Sequence, residues 1–176
     1  MTNQKHKISN NLINNFEFRI IRSNDTDFMD VCDYVEKNIN RENLYINGGT
    51  LQNFNITYKA IFLIVAYKDN LPIAYNSVRQ KVEDELYISQ IAVKKEFRRL
   101  GIGTKLIEIA IQLAKLNNKN VKAHVRYYNT GSMEMFKSLG FTQSTKLTKK
   151  GSYTFTLKQM ELTDYDQKQN EIHKKR

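Results

Sequence analysis

The chain has 176 residues, 40% of them hydrophobic, which is enough for one domain with a real core. Its one cysteine, Cys32, excludes an intramolecular disulfide, argues against a cysteine-based metal site and fits a reducing compartment. The formal net charge of +10 suits nucleotides, nucleic acid or ribosomes, although part of the excess sits in tails and turns such as Lys149, Lys150 and Lys174 to Arg176.

Residues 1–15 are rich in Asn and Lys without a sustained period, which predicts a disordered segment, and they hold no apolar core of the kind a signal peptide needs. Phe16, Phe18 and Ile20 alternate with Glu17, Arg19 and Ile21, as in a half-buried strand. Asp25 is placed to cap a helix on which Phe28, Val31, Cys32, Val35 and Ile39 share a face. From Asn40 to Tyr58 the pattern breaks around Gly48-Gly49, with a short second helix expected after Thr50. Ala60 to Tyr67 reads as a buried strand; it is the longest apolar run and far too short to span a membrane. Asp69-Asn70 turns the chain into a returning strand, Leu71 to Gln80, with Pro72 tolerated near its start. Glu83-Asp84 leads into a third strand, Glu85 to Lys94.

A helix follows, with Leu106, Ile109, Ala110 and Leu113 expected to face inward. Val121 to Val125 is a strand after a helix, hence parallel to the strand from Glu85. Asn129 to Leu139 forms a helix with Met133, Phe136 and Leu139 on one face and Gly140 as its C-cap. Phe141 to Leu147 and Ser152 to Met160 read as a terminal hairpin around Lys149-Lys150-Gly151. The expected domain is 16–162, between the segment 1–15 and a charged tail, 163–176. The order β-α-α-β-β-β-α-β-α-β-β is of the α/β (α+β) class, with a mixed central sheet of about seven strands.

The chemistry concentrates between the third strand and the following helix, at Arg98-Arg99-Leu100-Gly101-Ile102-Gly103-Thr104. Glycine lets backbone approach a ligand, and the first N–H groups of a helix, with its dipole, favour an anion. Two arginines add positive charge, so the loop suits a phosphate or pyrophosphate. It is not a dinucleotide fingerprint, because the third glycine would fall at Leu106. Nor is it a P-loop, because Gly103-Thr104-Lys105 has no glycine at the required distance upstream.

What remains, Arg-x-x-Gly-x-Gly, resembles the coenzyme A pyrophosphate loop of the GCN5-related N-acetyltransferase (GNAT) superfamily. The element order agrees, and Asn129 followed by Phe136-Lys137-Ser138-Leu139-Gly140-Phe141 resembles a second block of that family. The stretch from Leu86 to Phe141 is similar to the catalytic subunit of NatE-type (Naa50-like) N-terminal acetyltransferases. The resemblance implies the GNAT fold and acetyl-CoA as cosubstrate, without a metal. It implies cofactor contacts from Ile91, Ala92, Val93, Arg98, Arg99, Leu100, Gly101, Ile102, Gly103, Thr104 and Asn129. It further implies that His124 acts as a general base through water and that Tyr87 orients that water or shares the proton path.

Tyr45, Tyr127 and Tyr153 are the expected acceptor-binding residues. Phe136 stands where many members carry a tyrosine that protonates the departing thiolate, and phenylalanine cannot donate. The acceptor expected from the resemblance is a peptide or protein N-terminus, with ribosome or auxiliary-subunit association and a cytoplasmic location, and without a membrane or direct nucleic-acid site. Two alternatives stay open: transfer to another amine (a ribosomal-protein terminus, lysine, polyamine or aminoglycoside), or a CoA-binding module without catalysis.

Overall fold

The structure, a computed structural model, describes residues 15–40 and 57–158. Tyr45, Gly48-Gly49, the helix expected after Thr50, residues 1–14 and the tail from Thr163 lie outside the described residues. The elements are β1 (Glu17–Arg22), α1 (Phe28–Val35), a π-helical turn (Glu36–Asn40), β2 (Phe62–Lys68), β3 (Leu71–Val82), β4 (Glu85–Val93), α2 (Ile102–Leu116), β5 (Asn120–Arg126), α3 (Thr130–Ser138), β6 (Thr142–Gln143) and β7 (Ser152–Leu157). The strands form a seven-stranded sheet in the order β1-β2-β3-β4-β5-β7-β6. Pairs β1–β2, β2–β3, β5–β7 and β6–β7 are antiparallel, and β4–β5 is parallel, giving the mixed sheet expected from the sequence. Two compact units divide the chain: Met1–Arg79 with Ser89–Ile109, and Gln80–Ile88 with Ala110–Arg176.

In the first unit, α1 and the π-helical turn lay Phe28, Cys32, Val35 and Ile39 on Ile21, Leu63, Val65, Tyr75 and Ala92. Full burial of a Leu, Val or Ile side chain contributes about 1.5–3 kcal/mol, so this apolar stripe holds the helix in place. Burial pushes the Cys32 thiol up to about 11, which keeps it protonated and unreactive. The β1 pattern differs from expectation: Ile21 is the buried residue, whereas Phe18 and Ile20 are half-buried. β1 has a single strand neighbour, and Ile21 is the residue that joins the α1 core. Asp25 does not cap α1. Its carboxylate accepts the Arg22 N–H at 2.7 Å and closes the strand-to-helix turn; the N-cap position falls to Asp27, whose side chain makes no capping bond.

On α2 the buried residues are Ile102, Leu106, Ile107, Ala110, Ile111 and Ala114. Ile109 and Leu113 are only half-buried. The helix carries two overlapping apolar stripes, and packing selected the one that includes Ile107 and Ile111.

In the second unit, Asn129 caps α3 by accepting the Ser132 N–H at 3.2 Å. The helix ends at Gly140, φ +87, with Gly140 N–H donating to the Lys137 carbonyl and Phe141 N–H to that of Phe136. This is a Schellman stop, in which glycine takes the left-handed conformation without a Cβ penalty. Phe136 is 3% exposed, with ring centroids 4.9 Å from Phe141 and 5.5 Å from Phe155. Phe136→Ala is expected to lower the unfolding free energy by about 3–5 kcal/mol, as read from urea denaturation.

The terminal hairpin is shorter than its apolar pattern suggests. β6 covers Thr142–Gln143 rather than Phe141 to Leu147. Ser144 ends it: its hydroxyl accepts the Thr154 N–H at 3.0 Å and donates to the Lys146 carbonyl at 2.9 Å. A side-chain oxygen thus takes a ladder bond that a strand carbonyl would have made. β7 ends at Leu157, short of Met160.

Candidate active site

The loop from Arg98 to Gly101 belongs to the first unit and joins a short 3₁₀ turn, Lys95–Phe97, to α2. Arg99 and Gly101 both have positive φ, at 65° and 81°. Glycine adopts this conformation freely, whereas arginine does so at a cost. The first helical bond runs from the Lys105 N–H to the Gly101 carbonyl at 3.0 Å. The amides of Ile102, Gly103 and Thr104 precede it, at the positive end of a 15-residue helix. These donors fit a pyrophosphate. Arg98 donates from Nε to the Val93 carbonyl at 3.0 Å, so its side chain braces the loop on the end of β4. On β4 itself Ala92 is buried, and Ile91 and Val93 are half-buried.

The second unit holds the expected base. The parallel β4–β5 register runs from Glu85↔Asn120 to Ile88↔Ala123 and stops there, although β4 continues to Val93 and β5 to Arg126. Tyr87 pairs with Lys122, and alternation puts His124, two residues along β5, on the same face as Lys122. The structure brings the two candidates together: Tyr87 Oη lies 3.3 Å from His124 Nδ1, with the rings edge-to-face at 5.4 Å. Lys81 Nζ sits 3.8 Å from the centre of the Tyr87 ring. Lys122 Nζ pairs with Glu85 Oε2 at 2.7 Å.

His124 is exposed on β5, and partial desolvation, then the charges of Lys81 and Lys122, hold its pKa below the ordinary imidazole value; Glu85 pulls the other way. The ring is therefore neutral near pH 7 and can accept a proton. The tautomer with its proton on Nδ1 donates to Tyr87 and carries its lone pair on Nε2.

Tyr153 does not join this pair. It is in register with Val125, while His124 is opposite Thr154, so Tyr153 projects from the other face of the sheet. Tyr127 and Tyr128 are exposed beyond β5, stacked edge-to-face at 5.3 Å. The Tyr127 N–H donates to the Gly151 carbonyl at 3.2 Å, beside the turn whose Lys150 carbonyl accepts from Arg126 Nη1. Asn129 serves as the α3 cap. Sequence reasoning missed Lys81 and Lys122. Alternation along β5 pointed to Lys122, but nothing local to Lys81 marks it as a neighbour of Tyr87.

Among the described residues no group of three or more His, Cys, Asp or Glu could hold a metal ion, and no helix is long and apolar enough to cross a membrane.

The acetyltransferase (GNAT) family model matches residues 30–141, and the chain belongs to this family. An N-alpha-acetyltransferase of Sulfurisphaera tokodaii is 36% identical over 59 residues, 32% of this chain; the match spans about a third, 35%, of that relative's length. Among solved structures, the PaiA N-acetyltransferase of Thermoplasma acidophilum in complex with coenzyme A superposes with a TM-score of 0.63 at 13% identity, covering 81% of this chain and 98% of that one. Arabidopsis thaliana Naa50 in complex with the bisubstrate analogue CoA-Ac-MVNAL gives 0.59 at 18% identity, covering 81% and 97%. At these identities the structural likeness is one of fold.

Proposed function

We propose that this chain transfers the acetyl group of acetyl-CoA to a primary amine, the N-terminal α-amine of a protein. The observation that carries the proposal is the Tyr87–His124 hydrogen bond just where the β4–β5 ladder stops, with the imidazole held neutral. Support for the acceptor comes from the N-alpha-acetyltransferase relative and from the fold shared with a Naa50 bound to a peptide-like analogue.

Acetyl-CoA supplies a thioester, whose C–S bond breaks as the amine nitrogen forms a C–N bond to the acetyl carbon. In the first unit the amides of Ile102, Gly103 and Thr104 hold the pyrophosphate, Arg99 adds positive charge, and Arg98 keeps the loop braced on Val93. Amides of Ile91 to Val93 polarise the thioester carbonyl. In the second unit His124 takes the proton that the amine must lose, through a water, and Tyr87 fixes the imidazole and shares the proton path. Phe136 cannot return a proton to the thiolate, which is a good leaving group and is protonated from solvent or an exposed tyrosine, Tyr127 or Tyr128.

A peptide panel with acetyl-CoA, varying the first two residues and including internal lysines and polyamines, tests the acceptor. Acetylation confined to α-amines is expected. Transfer to lysine or polyamine instead would move the chain to another branch of the family. Acetyl-CoA binding without transfer to any amine would leave a CoA-binding module.

A further inference from the structure

A buried polar chain runs through the first unit and takes no part in the chemistry above. Glu36, in the π-helical turn, is 3% exposed. Its Oε1 accepts from the Thr57 N–H at 3.1 Å and the Thr57 hydroxyl at 2.6 Å, and its Oε2 accepts from Asn40 Nδ2 at 2.6 Å. Asn40, 1% exposed, accepts at Oδ1 from Nε2 of Gln90 on β4.

The carboxylate sets the polarity of everything beyond it. Acting only as an acceptor, it turns the Asn40 amide nitrogen toward itself, which leaves the Asn40 oxygen facing Gln90. That oxygen in turn requires the Gln90 nitrogen. Gln90 Oε1 must therefore point away from the chain, and it is buried with no hydrogen-bond partner among the described residues. An unpaired buried acceptor is costly and needs an explanation, and a ligand N–H is one that supplies the missing bond.

We propose that Gln90 Oε1 binds an amide N–H of a substrate, and that Glu36 and Asn40 are positioning residues that hold Gln90 as an acceptor. The inference rests on the acetyl-transfer reading, in which the strand end beginning at the next residue, Ile91, meets acetyl-CoA. Both substrates of that reaction offer the group. The pantetheine arm contains amides, and an acceptor peptide has an amide just beyond its α-amine. An amide N–H keeps its proton throughout the transfer, which suits a neutral oxygen that cannot take one.

Gln90→Met keeps the side chain's length and removes its polar end. In the full chain it is expected to weaken one constant about tenfold, the scale of one lost hydrogen bond, with kcat near the parent's. A higher dissociation constant for acetyl-CoA by calorimetry assigns the N–H to pantetheine. A higher peptide KM assigns it to the acceptor, provided the variant also stops preferring a peptide over its ester-linked analogue at that first amide.

Glu36→Gln can present N–H or oxygen and so relaxes the polarity. It should raise the same constant in the parent and add nothing in the Gln90→Met background. A purely structural Glu36 would act equally in both backgrounds. Gln90→Leu repeats the measurement if Gln90→Met melts too low. Unchanged constants in a folded Gln90 variant overturn the inference while acetyl transfer stands. A parent that neither binds acetyl-CoA nor acetylates an amine overturns the reading beneath it.

Discussion

His124→Ala is expected to cut turnover by on the order of 10²-fold or more, the scale of losing a positioned acid–base group, while acetyl-CoA binding persists. The residue belongs to the second unit, and its hydrogen-bond partner there is Tyr87 Oη at 3.3 Å. The sign of the pH dependence follows from its surroundings. Partial desolvation and two lysines lower the imidazole's pKa, so the basic form persists to a pH below the ordinary ~6.5. The parent's rate should therefore rise with pH through a midpoint under that value and then level off. Lys81→Ala removes one source of the depression and should move the midpoint up. Tyr87→Phe removes only a hydroxyl; a fall in rate with an unchanged melting temperature would separate proton handling from packing. Full activity in His124→Ala with the parent's pH profile would remove the histidine from the mechanism.

Gly101→Val should abolish acetyl-CoA binding. A saturating ligand at a hundred times its dissociation constant stabilises a protein by about 2.7 kcal/mol, seen as a higher melting temperature in the parent. At φ +81 a β-branched side chain is strained by roughly 1–3 kcal/mol, and relief of that strain moves the amides at the start of α2. The variant is expected to stay folded, because the α2 core residues from Ile102 to Ala114 are untouched, but to show no ligand-induced shift. Gly103→Val tests the same amides without the positive φ. An absent shift in the parent would sink the cofactor assignment, and a retained shift in Gly101→Val would place the ligand elsewhere.

The features legible in the sequence were those written in short-range patterns. Gly101 after β4 marked the turn into α2, because few other residues adopt its positive-φ backbone. Asn129 and Gly140 marked both ends of α3 through capping chemistry that acts within a few residues. The parallel crossover predicted the pairing of the strands that carry Tyr87 and His124, while the choice of those two residues came from the family resemblance of Leu86 to Phe141. What stayed hidden depends on contacts distant in sequence or on one side chain diverting a ladder bond. Asn40 and Gln90 are 50 residues apart, and nothing near either one reveals that Glu36 fixes their orientation. Ser144 looks like an ordinary strand residue until its hydroxyl takes the Thr154 amide. Ile21 looked like the outward partner of Ile20 until α1 covered it.

The short β6 also bears on how this chain behaves at high concentration. Among the described residues the seven-stranded sheet has two open margins, and an open margin invites pairing with another molecule. Here one margin is a two-residue strand, cut off by Ser144, which offers almost no length for a foreign strand to follow. The other, β1, sets exposed Glu17, Arg19 and Arg22 along its length, so an incoming strand would have to bury charge. Extending β6 with a Ser144→Val substitution, or replacing Arg19 and Arg22 with valine, should turn these blunt borders into adhesive ones and lower the concentration at which the protein forms fibrils or precipitates, read by light scattering against the parent.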